Sequence, residues 1–224
     1  MRKPQVIFFD VNETLLDLSP VKETVSEALG GRPELVALWF TTTLQYSLVT
    51  TVAERFRDFG GIALACLQMV ARNQGIDLDE AQAKKAVAPL RALPPHPDVL
   101  PALERLGGAG YRLFALTNSS EDAVAEQLHS AGLEGLFEAA LSVESVGLYK
   151  PHPGVYQWAA RSAGAEMAEC LMVAAHGWDV AGAAWAGMQS AFVARPGQQP
   201  FPLGPDRELD VVSFTELADR LVAL

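Results

Sequence analysis

Cysteine is nearly missing: two residues in a chain of 224. Cys66 and Cys170 lie in apolar stretches ("IALAC" and "ECLMV"), and no CxxC pair is present. A disulfide framework or a thiolate metal site is therefore excluded, and free buried thiols in a reducing compartment are expected. Positive charge is also scarce. Lys and Arg number 17 against 27 Asp and Glu, a net charge of −10 with no basic cluster, so no nucleic-acid partner is expected. His96, His129 and His152 share no metal-ligand spacing. No apolar run approaches the length that spans a bilayer, so no membrane partner is expected either. The start, "MRKPQVIFF", imitates a secretory signal, but Asp10 breaks the apolar run and no small-residue cleavage site follows. The expected location is cytoplasmic. Internal repeats and low-complexity segments are absent.

What is present suits a globular chain with a sizeable core: half the residues are apolar and a fifth are charged. "QVIFFDV" reads as a fully buried strand, apolar without alternation. From Ser19 to Ala92 the pattern is helical, and turn signals at Gly30-Gly31-Arg32-Pro33, Gly60-Gly61 and Gly75 divide it into about four helices. After "LPPHPDVL" helices alternate with the strands "YRLFALTNS", "FEAALSV", "CLMVAAH" and "QSAFVAR", and "LDVVSF" and "TELADRLVAL" close the chain. This alternation predicts an α/β fold: a Rossmann-like parallel sheet with helices on both faces and a helical cap inserted after the first strand. Residues 1–17 and 93–224 would form the core, and 18–92 the cap.

Ligands of such sheets sit at the carboxyl ends of the strands. The predicted tips carry Asp10-Val11-Asn12, then Thr117-Asn118-Ser119, then His176-Gly177-Trp178-Asp179, and the loop "GLYKPHP" adds Lys150. Two acids, a lysine and several hydroxyl or amide groups thus converge on one edge, as a catalytic or binding cleft requires. Plainer roles compete. Asp179 opens a helix and could be its N-cap. Lys150 could be an exposed loop lysine, and Thr14 a turn hydroxyl. Ser119 followed by Asp122 reads as a capping box that starts the next helix.

Four stretches in this order, "FFDVNETLLD", "FALTNSS", "YKPHPGVY" and "VAAHGWDVAGAAWAGM", resemble the haloacid dehalogenase superfamily of hydrolases, across the whole chain and with the cap insert in its place. The superfamily contains many phosphatases and a smaller branch of 2-haloacid dehalogenases, and the resemblance implies Asp10 as nucleophile in either case. Phosphoryl transfer needs Mg²⁺ and an acid two residues after the nucleophile to protonate the leaving group. Here that residue is Asn12, and Ala174 and Ala175 stand where a second metal-binding acid belongs. Halide leaves carbon as a stable anion and needs neither. The closer resemblance is to the type II L-2-haloacid dehalogenases, matched by Trp178-Asp179, Thr117-Asn118, Lys150 and Thr14.

That resemblance implies catalytic roles for Asp10, Thr14, Lys150 and Asp179, and substrate or halide contacts from Val11, Asn12, Phe40, Thr117, Asn118, Ser119, His176 and Trp178. It implies a short halogenated carboxylate as substrate, no metal or other cofactor, and a homodimer. The sequence departs from the branch at Asn12 (usually Tyr), at Ala174 (usually Ser), at His176 (an Asn), and at Phe40, where a halide-cradling Arg is usual. Arg55 and Arg57 are candidate substitutes for that arginine. A Mg²⁺-dependent phosphatase and a non-catalytic binder of small anions are the alternative expectations.

Overall fold

The computed structural model describes all 224 residues. Six parallel strands form one sheet in the order β3-β2-β1-β4-β5-β6, as the alternation predicts. They are β1 (Val6–Phe9), β2 (Arg112–Thr117), β3 (Ala139–Ser142), β4 (Cys170–Ala174), β5 (Gln189–Val193) and β6 (Leu209–Val211). All four residues of β1 are buried, because helices cover both faces of a parallel sheet and leave no wet side for alternation. The chain builds outward from β1 to β2 and β3, then crosses to β4 on β1's other flank. The order therefore reverses beside β1, and that reversal opens a crevice at its carboxyl end.

The inserted segment folds as α1 (Ser19–Ala28), α2 (Glu34–Val52), α3 (Phe59–Asn73) and α4 (Glu80–Val87). Asp58 and Asp79 cap α3 and α4 by accepting from Gly61 N–H (2.8 Å) and Gln82 N–H (2.7 Å). The two connections to the core run side by side: Asp17 N–H donates to Pro94 O at 2.8 Å, and His96 N–H to Leu15 O at 2.9 Å. One continuous apolar cluster of 60 residues runs from the sheet into the cap, taking in Val21, Leu35, Trp39, Phe59 and Leu67, so the two parts share an interior. Five further helices complete the core: α5 (Val99–Gly108), α6 (Glu121–Ser130), α7 (Pro153–Ser162), α8 (Gly177–Ala186) and α9 (Phe214–Val222).

The expectation that no segment reaches membrane-spanning length is corrected by α2. It has 19 residues, and by length and a mean hydropathy of 1.2 over its best window it is apolar enough to cross a bilayer, with 33% of that window buried. Its Ser and Thr residues mask this in the sequence. Thr43, Ser47 and Thr51 turn their hydroxyls onto carbonyls of the preceding turn and pack inward.

Trp39 fixes how α2 lies on α3, donating its indole N–H to Ala63 O at 2.8 Å while almost fully buried. Trp39→Phe removes that donor in a dry seam and should cost about 1–3 kcal/mol. Urea unfolding should show a lower midpoint at unchanged slope, and an unmoved midpoint would mean the indole bond does not hold the seam.

Candidate active site

Asp10 follows β1 directly. Its N–H still pairs with Val173 O of β4 at 3.0 Å, which fixes the backbone and aims the carboxylate into the crevice. Lys150 reaches it from the loop after β3. The ammonium donates to Asp10 Oδ1 (2.8 Å), Asp179 Oδ2 (2.7 Å) and Leu116 O (2.8 Å), so all three of its protons are committed. Asn118 Oδ1 accepts from Lys150 N–H at 3.1 Å and positions the loop. Thr14 donates to Asp10 Oδ2 at 2.6 Å and accepts from Ala175 N–H at 2.9 Å, tying β1's tip to β4's.

Asp179 is fully buried in the first turn of α8 and does not act as its N-cap, which is His176. Its other oxygen, Oδ1, accepts from Tyr156 Oη of α7 at 2.6 Å. The close approach of α8 to α7 depends on Gly182, where a Cβ would overlap Pro151 and lie 2.9 Å from Tyr156 Oη.

His176 completes the cluster. Its Nδ1 lies 3.0 Å from Asp10 Oδ2 and its Nε2 lies 3.1 Å from Glu13 Oε2. Glu13 reaches it because its backbone adopts a φ of 66°, the left-handed region that non-glycine residues seldom occupy. Lys22 (2.6 Å) and Gln198 (2.8 Å) hold the same carboxylate. Two rings lie nearly parallel to the imidazole, Trp178 with its centroid at 5.1 Å and Phe40 at 6.4 Å.

Asn12 is held on both sides. It donates to Ser119 Oγ (3.1 Å) and accepts from Gln127 Nε2 (3.0 Å). Helix α6 begins one residue later than the capping box implies: Ser120 caps it, accepting from Ala123 N–H, and this leaves Ser119 Oγ free for Asn12. Thr117 turns inward to accept from Ser119 N–H at 3.1 Å. The Val11 side chain is buried in the core, but the N–H groups of Val11 and Asn12 bond no protein acceptor and border Asp10. Arg55 and Arg57 are exposed and do not join the cluster. Three cavities adjoin it. One of about 860 Å³ is lined by Glu13, Phe40 and Gln198, one of about 390 Å³ by Asn12, Ser119 and Phe59, and one of about 330 Å³ by Leu44, Lys150 and Trp178.

Glu13, Tyr156, Gln127 and Gln198 escaped the sequence reading. Tyr156 had a usable signal, since it lies inside the quoted "YKPHPGVY" on the buried face of α7. Glu13 had none, because a glutamate in a turn ordinarily faces water.

The charges order themselves by contact. Burial would raise the Asp10 pKa, but the Lys150 ammonium and the His176 ring outweigh it and hold the carboxyl far below its usual range. Burial would lower Lys150, yet Asp10 and Asp179 keep it protonated. Asp179 is pushed up, by burial first and then by the Asp10 charge, against the pull of Lys150. Burial also opposes the charge on His176, but its bonds to Asp10 and Glu13 push its pKa up to about 9. A raised value stabilises the fold in full below the unfolded value of 6.5, and that stability fades as pH climbs through about 9. The chain should therefore lose about 3 kcal/mol more than His176→Asn between pH 6.5 and 10. Parallel stability–pH curves for the two proteins would mean the imidazole is uncharged.

A haloacid dehalogenase-like hydrolase family profile matches residues 4–187. The haloacetate dehalogenase H-2 of Moraxella sp. (strain B) is 30% identical over 198 residues, covering 88% of each chain. An (S)-2-haloacid dehalogenase of Xanthobacter autotrophicus is 31% identical over 196 residues, covering 87% of this chain and 77% of that one. The solved L-2-haloacid dehalogenase from Xanthobacter autotrophicus with chloropropionic acid covalently bound superposes with a TM-score of 0.90 at 25% identity, over 98% of both chains. A sheet that reverses beside Asp10, a lysine shared between two strand-end acids and a profile match over most of the length agree: this chain belongs to the haloacid dehalogenase-like hydrolases.

Proposed function

We infer that this chain hydrolyses short-chain 2-haloacids through an ester formed on Asp10. The observation that carries this reading is the pairing of an ionised Asp10 with Asn12 two residues on. A phosphatase needs a proton donor at that place, and the Asn12 amide cannot titrate and is committed to Ser119 and Gln127. A halide needs no proton to leave. The Asp10 carboxylate attacks C2, the carbon–halogen bond breaks, and halide departs with the electron pair. Lys150 and Thr14 orient the attacking group, and Asp179 holds Lys150 with the help of Tyr156. The free N–H groups of Val11 and Asn12 and the Ser119 hydroxyl receive the substrate carboxylate. Trp178, Phe40 and Asn118 line the halide side. Water then hydrolyses the ester and releases the 2-hydroxyacid. The donor set suits this chemistry better than Mg²⁺ binding, because Asp10 and Asp179 already share an ammonium and Glu13 turns to His176. The names of the relatives support the same substrate class.

A second reading rests on Phe40. With no cap arginine beside the leaving group, the chain would bind small carboxylates without turning them over.

Two copies pair through α2 in this reading. Leu38, Val49 and Val52 are exposed along one side of that helix, an apolar stripe that a second copy would cover. Val49→Glu should reduce the sedimentation coefficient to that of a monomer, and a chain already monomeric at high concentration would remove the pairing.

Halide release from fluoro-, chloro- and bromo-2-acids in EDTA should be readily detected by ion chromatography, and Asp10→Asn should abolish it while the chain still melts in one cooperative transition, at a temperature lowered by the loss of one buried charge. Mg²⁺-dependent release of phosphate from p-nitrophenyl phosphate would overturn the assignment. Tight carboxylate binding with no halide release would favour the non-catalytic reading.

A further inference from the structure

Hydrolysing an ester on Asp10 requires a group that takes a proton from water. The neighbours of Asp10 differ in their freedom to do so. Thr14 is a hydroxyl already donating to Asp10 Oδ2. Lys150 is protonated and has no free donor position. Asp179 touches the cluster only through Lys150, and its two oxygens accept from Lys150 and Tyr156. His176 remains. It contacts the reacting carboxyl directly and is backed by a carboxylate on its far nitrogen, a buried Glu13–His176–Asp10 chain.

We propose that His176 is the base of the second half-reaction, accepting a proton from the water that attacks the Asp10 ester, with Glu13 as its positioning residue. This step rests on the ester reading given above.

The groups around the imidazole make its protonation depend on the state of Asp10. Asp10 and Glu13 face it from the loop after β1, backed by Lys150 and Lys22, and Gln198 adds an uncharged amide from the loop after β5. Phe40 of α2 and Trp178 of α8 lie nearly parallel to the ring and carry no charge. In the resting site two carboxylates hold the imidazolium. Esterification removes the Asp10 charge, so one of the two partners is lost and the ring releases a proton to solvent. The cavity of about 860 Å³ lined by Glu13, Phe40 and Gln198 reaches the neighbours of the imidazole, and water would enter from that side. Neutral His176 Nδ1 then takes a proton as the water oxygen bonds to Asp10 Cγ. The tetrahedral centre collapses, the bond to the C2 oxygen breaks, and His176 returns the proton to that oxygen. Asp10 is left as a carboxylic acid beside neutral His176, and transfer of its proton restores the ion pair. The sum is haloacid and water to hydroxyacid, halide and one proton. Glu13 fixes which nitrogen faces Asp10 and supports the positive charge each time it forms.

The test is a rapid-quench experiment with 2-chloropropanoate on the intact chain, reading halide and protein mass together. His176→Asn should release about one halide per chain in a burst and then turn over about a hundredfold more slowly. The protein should gain the mass of the substrate less its halide, on the peptide that holds Asp10. The burst itself reports a folded, nucleophilic site. Glu13→Gln should move the midpoint of the ester-hydrolysis pH profile to lower pH, whereas a merely structural role would lower the rate at every pH and leave the midpoint in place. Turnover of His176→Asn within a few-fold of the unmodified chain would overturn the assignment. So would loss of the burst, which would put His176 in the first half-reaction. Absence of halide and of an Asp10 ester from the unmodified chain would remove the dehalogenase reading itself and this step with it.

Discussion

One buried ammonium organises the strand ends. Lys150 joins the tip of β1 through Asp10, the end of β2 through Leu116 O, and the first turn of α8 through Asp179. Two carboxylates so close would otherwise compete for a proton. The ammonium settles that competition unequally. Asp10 has a second cation at His176 and is driven far down, while Asp179, fully buried and supplemented only by a tyrosine hydroxyl, is pushed up. The better-stabilised anion is thus the one facing the crevice. Taking away one member of such a buried set costs about 3–5 kcal/mol, because the remaining charge is left without compensation.

The surroundings hold this set by shape more than by charge. Gly182 lets α8 approach closely enough for Tyr156 to reach Asp179. Arg195 bonds Thr14 O at 3.1 Å and Asp98 at 2.9 Å, pinning the loop that follows Asp10 to the entry of α5. The Lys150–Pro151 peptide is cis, and Asn118 fixes the lysine's own N–H. Each contact immobilises a residue that itself contacts a charge, and this is how a site keeps its geometry without reorganising during reaction.

The fold was readable in the sequence because its signals are local. "VIFF" can only be a strand covered on both faces, and the helix–strand alternation after residue 93 admits few sheets other than a parallel one. Asp10, Lys150 and Asp179 were readable for the same reason: each follows a strand, and strand ends share an edge. Glu13 was not, since its inward turn depends on a left-handed backbone and on His176, which lies 163 residues further on. The α6 start was misplaced by one residue because Ser119 and Ser120 are equally good caps, and the choice is made by Asn12 from another loop. Threonine and serine disguised the apolar character of α2, since their hydroxyls bond within the helix rather than to water.

The departures from the dehalogenase branch also become one connected arrangement. Phe40 brings no charge, but its ring lies nearly parallel to the imidazole of His176, as does that of Trp178. Where the branch is expected to place a cation on the cap, this chain buries one in the core, 3.0 Å from Asp10 and balanced by Glu13. A cap arginine would add a like charge beside that imidazolium, and an aromatic ring does not. Asn12 fits the same logic on the opposite flank: its amide joins Ser119 to Gln127 and adds no charge. The cap therefore contributes walls and the core contributes every charge next to Asp10. The division follows the chain: the cap comes from one insert after β1, whereas Lys150, His176 and Asp179 follow strands of the sheet.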